Sequence, residues 1–207
     1  MKSRRLSKQI ALIGLILFGS AASAMNSAIQ TDNTLSGITA FSSELSGNQH
    51  LFTLSEAQGQ IAGSNLFYSF SQFNIGSGDT AWFNLNTPDL THIISRVTGG
   101  NESFINGELK VTNAATGSTP SFFFINPSGV TLGPGASVDV PGSFYVSTAS
   151  SLHFSDGSQY QTNDSIITSS LSAAPPESFG FLGNEAGSLN LSGTEADPVD
   201  LSFKPLA

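Results

Sequence analysis

Residues 129–148 read GVTLGPGASVDVPGSFYVST, and this stretch limits the fold more than any other. Val130 and Leu132 flank Thr131. Ala136, Val138 and Val140 alternate with Ser137 and Asp139, and Phe144 and Val146 alternate with Ser143, Tyr145 and Ser147. Side chains two positions apart share one face of a strand, so each run presents one apolar face. Gly133-Pro134-Gly135 and Pro141-Gly142 separate the runs. Proline fixes φ and suits a corner better than the primed turn of a tight hairpin, which wants Asn-Gly or Gly-X. Three short strands that bend at such corners and keep one face inward describe one coil of a parallel β-helix. Each coil buries that face in a shared interior and hydrogen-bonds to the coils above and below. A sandwich or jelly roll is the competing all-β arrangement. A lone coil buries too little to be stable, so the stack needs capped ends. The polar segment from Asn26 to Asn48 is the candidate N-terminal cap.

Helical patterning is nearly absent elsewhere. The nearest approach to a 3.6-residue apolar period is Leu54 to Ile61, which is too short for a stable helix. The exception is the start of the chain. Lys2, Arg4, Arg5 and Lys8 form a positive region, Ile10 to Phe18 is apolar, and Ala22-Ser23-Ala24 supplies the small residues of a cleavage site. The apolar run falls short of the roughly 20 residues a spanning helix needs. Residues 1–24 are therefore expected to be a cleaved signal peptide rather than a retained anchor, leaving residues 25–207 as one domain.

Loss of that leader leaves Arg96, Lys110 and Lys204 against fifteen Asp and Glu, a formal charge of −12 (3 minus 15). Nucleic acid and anionic membrane surfaces need a basic footprint, so neither is an expected partner. Self-repulsion favours a soluble monomer. There is no cysteine, so stability must come from burial and backbone hydrogen bonds, and nothing cross-links the extended chain. His50, His92 and His153 lack metal-ligand spacing. Glu195, Asp197 and Asp200 lack the pattern of a calcium loop. No metal or cofactor is expected.

Five landmarks then occur in order. They are Phe67-Tyr68-Ser69-Phe70-Ser71-Gln72-Phe73-Asn74-Ile75, and Ile93-Ile94-Ser95-Arg96-Val97-Thr98-Gly99-Gly100 with Ser103 to Leu109 after it. Phe124-Ile125-Asn126-Pro127-Ser128-Gly129-Val130, Gly142 to Ala149, and Pro175-Pro176-Glu177-Ser178-Phe179-Gly180-Phe181-Leu182 follow. Together they resemble the N-terminal secretion domain of filamentous-haemagglutinin-type exoproteins, the haemagglutination-activity or two-partner-secretion domain. Ser128 stands where that family most often has Asn. The resemblance implies a right-handed parallel β-helix, a single-stranded solenoid with an N-terminal cap and short extra-helical β elements. It also implies passage across the inner membrane by the general secretion machinery of a Gram-negative bacterium. The periplasmic domains of a cognate outer-membrane transporter then recognise the chain, and it reaches the cell surface or medium.

Within that reading Asn126, Pro127, Ser128 and Gly129 are the candidate site, either a structural turn or a determinant read by the transporter. Asn-Pro starts turns and the glycine relieves the backbone after them. Phe67, Phe70 and Phe73 are expected in core or cap packing, and Arg96 is expected to pair at the surface with Glu102 or Glu108. Two other functions compete. A β-helical polysaccharide-active enzyme needs clustered carboxylates supported by cations, which the sequence does not offer. A toxin would carry its activity in a C-terminal part beyond these residues.

Overall fold

The computed structural model describes residues 26–201 apart from 37, 39, 116, 164–170 and 183–185, so the expected leader lies outside the described residues. The chain opens with β1 (Ala28–Thr31), then β2 (Ser43–Ser46) and β3 (Gln49–Leu54), joined at Gly47 with a φ of +65°. A 3-10 turn at Glu56–Gln58 is all that forms from the weak helical pattern, and β4 (Gln60–Ala62) follows. The first full coil holds β5 (Asn65–Asn74) and β6 (Thr80–Leu85). The second holds β7 (His92–Val97), β8 (Ser103–Ile105) and β9 (Glu108–Asn113). The third holds β10 (Ser121–Ile125), β11 (Val130–Leu132) and β12 (Ser137–Asp139). β13 (Phe144–Ser147) starts another coil. An excursion of β14 (Ser151–Phe154), β15 (Gln159–Gln161) and β16 (Pro176–Gly180) interrupts it before β17 (Leu189–Leu191).

Three parallel sheets form the walls of this solenoid. Sheet A stacks β5, β7, β10 and β13, sheet B stacks β3, β6, β9 and β12, and sheet C stacks β8, β11 and β17. The strands expected within residues 129–148 are β11, β12 and β13, one on each wall. Asn65 pairs with His92 and His92 with Ser121, coil steps of 27 and 29 residues. The polar N-terminal segment caps the stack as expected. β1 and β4 run antiparallel on the two halves of β5, and β2 runs antiparallel on β3, so no parallel edge of sheet A or B is left open at that end.

The interior is aliphatic and phenyl. Leu66, Ile93 and Phe122 stack in register on sheet A, facing Phe83, Leu85, Leu109 and Val111 from sheet B. Phe83 meets Phe122 edge-on at 4.9 Å, and Phe73 meets Phe124 at 5.1 Å, the offset geometries aromatic rings prefer. Ser95 occupies the inward position between Tyr68 and Phe124, and its hydroxyl is buried without a partner.

β5 explains the odd spacing of its phenylalanines. Gln30 pairs with Gln72 but Thr31 pairs with Phe70, so Ser71 is the extra residue of a bulge. The bulge switches parity: Leu66, Tyr68 and Phe70 point inward before it, Phe73 and Ile75 after it. The Ser71 carbonyl is pressed against Gly99, where a β-carbon would overlap it.

Phe67 faces the other way. With Ile94, Phe123 and Ile125 it forms an apolar outer surface on sheet A, covered by Leu152, Phe154 and Tyr160 of the excursion. Sheet A is thus buried on both faces, which is why β10 reads as the unbroken run Phe122-Phe123-Phe124-Ile125.

Two outcomes follow from this packing. Ser95→Ala removes a polar atom that bonds nothing and is expected to leave the urea midpoint unchanged or raise stability by about 1 kcal/mol. Gly99→Ala is expected to lower it by about 1–3 kcal/mol, because the bulge carbonyl must move.

Candidate functional site

The turn Asn126–Gly129 closes the corner between sheets A and C. Asn126 ends β10 just after Ile125, and its side chain has no exposed surface. Its Nδ2 donates to the Asn101 carbonyl and to Ser103 Oγ, both at 2.9 Å, in the preceding coil. Its Oδ1 accepts the Ser128 N–H at 2.9 Å, and its carbonyl accepts the Gly129 N–H at 3.1 Å. Its own N–H reaches the Ser147 carbonyl of the next coil at 3.0 Å. One residue therefore ties three layers of the stack and shapes the turn as well. Gly129 has a φ of +121°, outside the range that side chains tolerate, and returns the chain to β11. Pro127 and Ser128 are half-buried, and the Pro127 carbonyl accepts the Gly187 N–H at 2.9 Å.

Arg96 departs from the expected surface ion pair. It is 1 % exposed on the outer face of sheet A. Its Nε donates to Ser69 Oγ at 2.7 Å and its Nη2 to Thr34 Oγ1 at 2.9 Å. Its Nη1 donates to the Gln161 carbonyl, and the guanidinium lies 4.3 Å from the centre of the Tyr160 ring. Glu102 and Glu108 instead accept from Thr131 and Thr80.

The counter-charge is Asp32, reached through hydroxyls. Ser69 donates to Asp32 Oδ2 at 2.5 Å and Thr34 to Oδ1 at 2.7 Å, while Thr98 donates to Oδ2 at 2.8 Å. Burial pushes the Asp32 carboxyl up, but the bonds from Ser69, Thr34 and Thr98 outweigh it and hold the group below its ordinary 3.8. Burial raises the Tyr160 phenol well above its ordinary value, partly opposed by Arg96. Its hydroxyl donates to the Tyr68 carbonyl at 3.1 Å.

The histidines are locally bonded. Asn65 Nδ2 donates to the Ser172 and Ala174 carbonyls at 2.9 and 2.7 Å, which turns its Oδ1 towards His92 Nδ1 at 2.8 Å. Burial lowers the His92 pKa and so favours the neutral imidazole, and the bond to the Asn65 amide oxygen requires a proton on Nδ1. His153 Nε2 meets Ser151 Oγ at 3.0 Å, but that serine is 2 % exposed and cannot meet a substrate. His50 Nδ1 lies 3.3 Å from Ser43 Oγ. Among the described residues no group of three or more His, Cys, Asp or Glu could hold a metal ion.

The family model described as the TPS secretion domain matches residues 28–204, nearly the whole solenoid with its cap and excursion. The chain belongs to the TPS secretion domain family. No curated protein matches it. The family's work is two-partner secretion, not catalysis. Within this TPS domain, the Asn126 turn was legible as Asn-Pro-x-Gly. The Arg96 node was not, because its partners lie 27, 62 and 65 residues away and are two hydroxyls and a carbonyl rather than a carboxylate.

Asn126→Ala strands the fully buried Ser103 Oγ and removes the bond to the Asn101 carbonyl. It is expected to cost about 2–3 kcal/mol, read from the urea midpoint. For Asp32 the folded pKa is depressed, so its contribution is full above the unfolded value near 3.8 and disappears as pH falls through the folded one. The stability gap between the parent chain and Asp32→Asn should therefore be flat above about pH 5 and close in stronger acid.

Proposed function

We propose that this chain is the secretion domain of an adhesin- or haemagglutinin-like exoprotein. In this reading residues 1–24 direct it through the general secretion machinery and are removed. The periplasmic domains of its outer-membrane β-barrel transporter then take up the domain while it is still extended, and the solenoid forms outside the cell.

The observation that carries the extended-state step is the concealment of Asn126. Its side chain has no exposed surface and every polar atom is committed within the stack. A partner can touch that side chain only before the coils close, so a folded domain is a poor ligand at this turn. Coil-by-coil growth suits the same route, because each coil bonds mainly to its neighbours. A chain without cysteine carries no cross-link that would obstruct a narrow pore.

Two measurements test this. Loss of the cognate transporter should leave the chain in the periplasm, whereas undiminished release would sink the proposal. The transporter's periplasmic domains, titrated with chain diluted from urea and with chain folded beforehand, should bind the first and ignore the second. Equal binding to both would remove the extended-state step.

A further inference from the structure

Asp32 and Arg96 stand at the junction of two pieces that are not part of the coils. One is the N-terminal segment, which brings Asp32 and Thr34 after β1. The other is the extra-helical excursion, which brings Tyr160 and Gln161 on β15. The coils supply Ser69, Arg96 and Thr98 between them. We infer that the hydroxyl-bridged pair of Asp32 and Arg96 couples the N-terminal segment to the excursion, so that neither stays docked without the other.

The physical basis is charge balance under burial. With the excursion absent, the Arg96 head on the outer face of sheet A is open to water. Docking the excursion removes that water and replaces it with one carbonyl, from Gln161, and the face of the Tyr160 ring. Neither carries a negative charge. The anion comes from the opposite side, through Ser69 and Thr34, each of which accepts from Arg96 and donates to Asp32. If Asp32 leaves, the excursion must cover an uncompensated cation, which is strongly unfavourable. Reciprocally, an undocked excursion leaves Arg96 solvated, and Asp32 loses most of the attraction that a dry site gives it. Other titratable groups on the described part of these elements are engaged elsewhere: Asp156 accepts from Ser158 and Ser172, Glu177 is exposed on β16, Tyr160 is held neutral, and His92, also on the outer face of β7, is bonded to Asn65.

This coupling deepens the export reading and rests on it in one respect. A transporter that holds the segment around β1 extended withdraws Asp32 from the node. It thereby keeps the excursion off Phe67, Ile94, Phe123 and Ile125, and the domain stays open until release.

The test is amide hydrogen exchange on the full chain. In Asp32→Asn, the excursion amides of Phe154 and Thr162, which bond the Ser158 and Ser150 carbonyls, should exchange at least about tenfold faster. Amides of β9 on sheet B, far from the node, should keep their parent rates. Combining Asp32→Asn with Arg96→Met removes both charges and should return the excursion to near its parent rates, which a simple loss of structure would not do. Excursion rates unchanged in Asp32→Asn would overturn the coupling, as would equal acceleration in β9 or a double variant as open as the single one. Should Asp32→Asn not fold, Thr34→Val cuts one relay without touching the excursion. It is expected to speed excursion exchange severalfold, and unchanged rates would overturn the proposal. All these rates are read without a transporter, so failure of the chain to bind one would count against the export reading alone.

Discussion

Burial of sheet A on both faces is the constraint from which the rest of this structure follows. The inner face gives the solenoid its phenyl and aliphatic filling. The outer face sets Phe67, Ile94, Phe123 and Ile125 beside Ser69 and Arg96, and water is kept from these too. A parallel wall of this kind cannot stand bare to water, so the chain leaves the stack after β13, lays an antiparallel sheet over the wall, and returns as β17. The excursion is a required third layer and not an ornament on the helix.

What could be read from the sequence divides along physical lines. The coil at residues 129–148 was legible because its alternation and its proline corners are local. The corner at Asn126 was legible for the same reason. β5 resisted because a bulge at Ser71 resets the inside-outside count midway, so that Phe67, Phe70 and Phe73 serve two different cores although their spacing looks uniform. Arg96 resisted because a cation in a chain rich in acids suggests a carboxylate partner, whereas its direct acceptors are two hydroxyls and a carbonyl brought from distant segments. Side-chain hydroxyls leave no pattern in a sequence already full of serine and threonine.

Asn126 and Arg96 are two answers to one problem, that of binding polar groups where water is excluded. Asn126 is neutral and works along the stack, holding a layer to those before and after it. Arg96 is charged and works across the wall, between the inner coils and the two pieces that flank them. The first gives local registry. The second makes remote parts of the chain depend on one another, which short-range ladders between coils cannot do.

The two ends of the stack are unlike. Antiparallel strands cover sheets A and B at one. At the other, β13 and β17 have no neighbour beyond them among the described residues, and Leu189 and Leu191, set above Val130 and Leu132, are 45 % and 60 % exposed. The domain therefore has a polarity, like a filament blocked at one tip. Among the described residues, a further parallel strand on sheet A would find unpaired backbone at β13 alone, because β5 already carries β1 and β4.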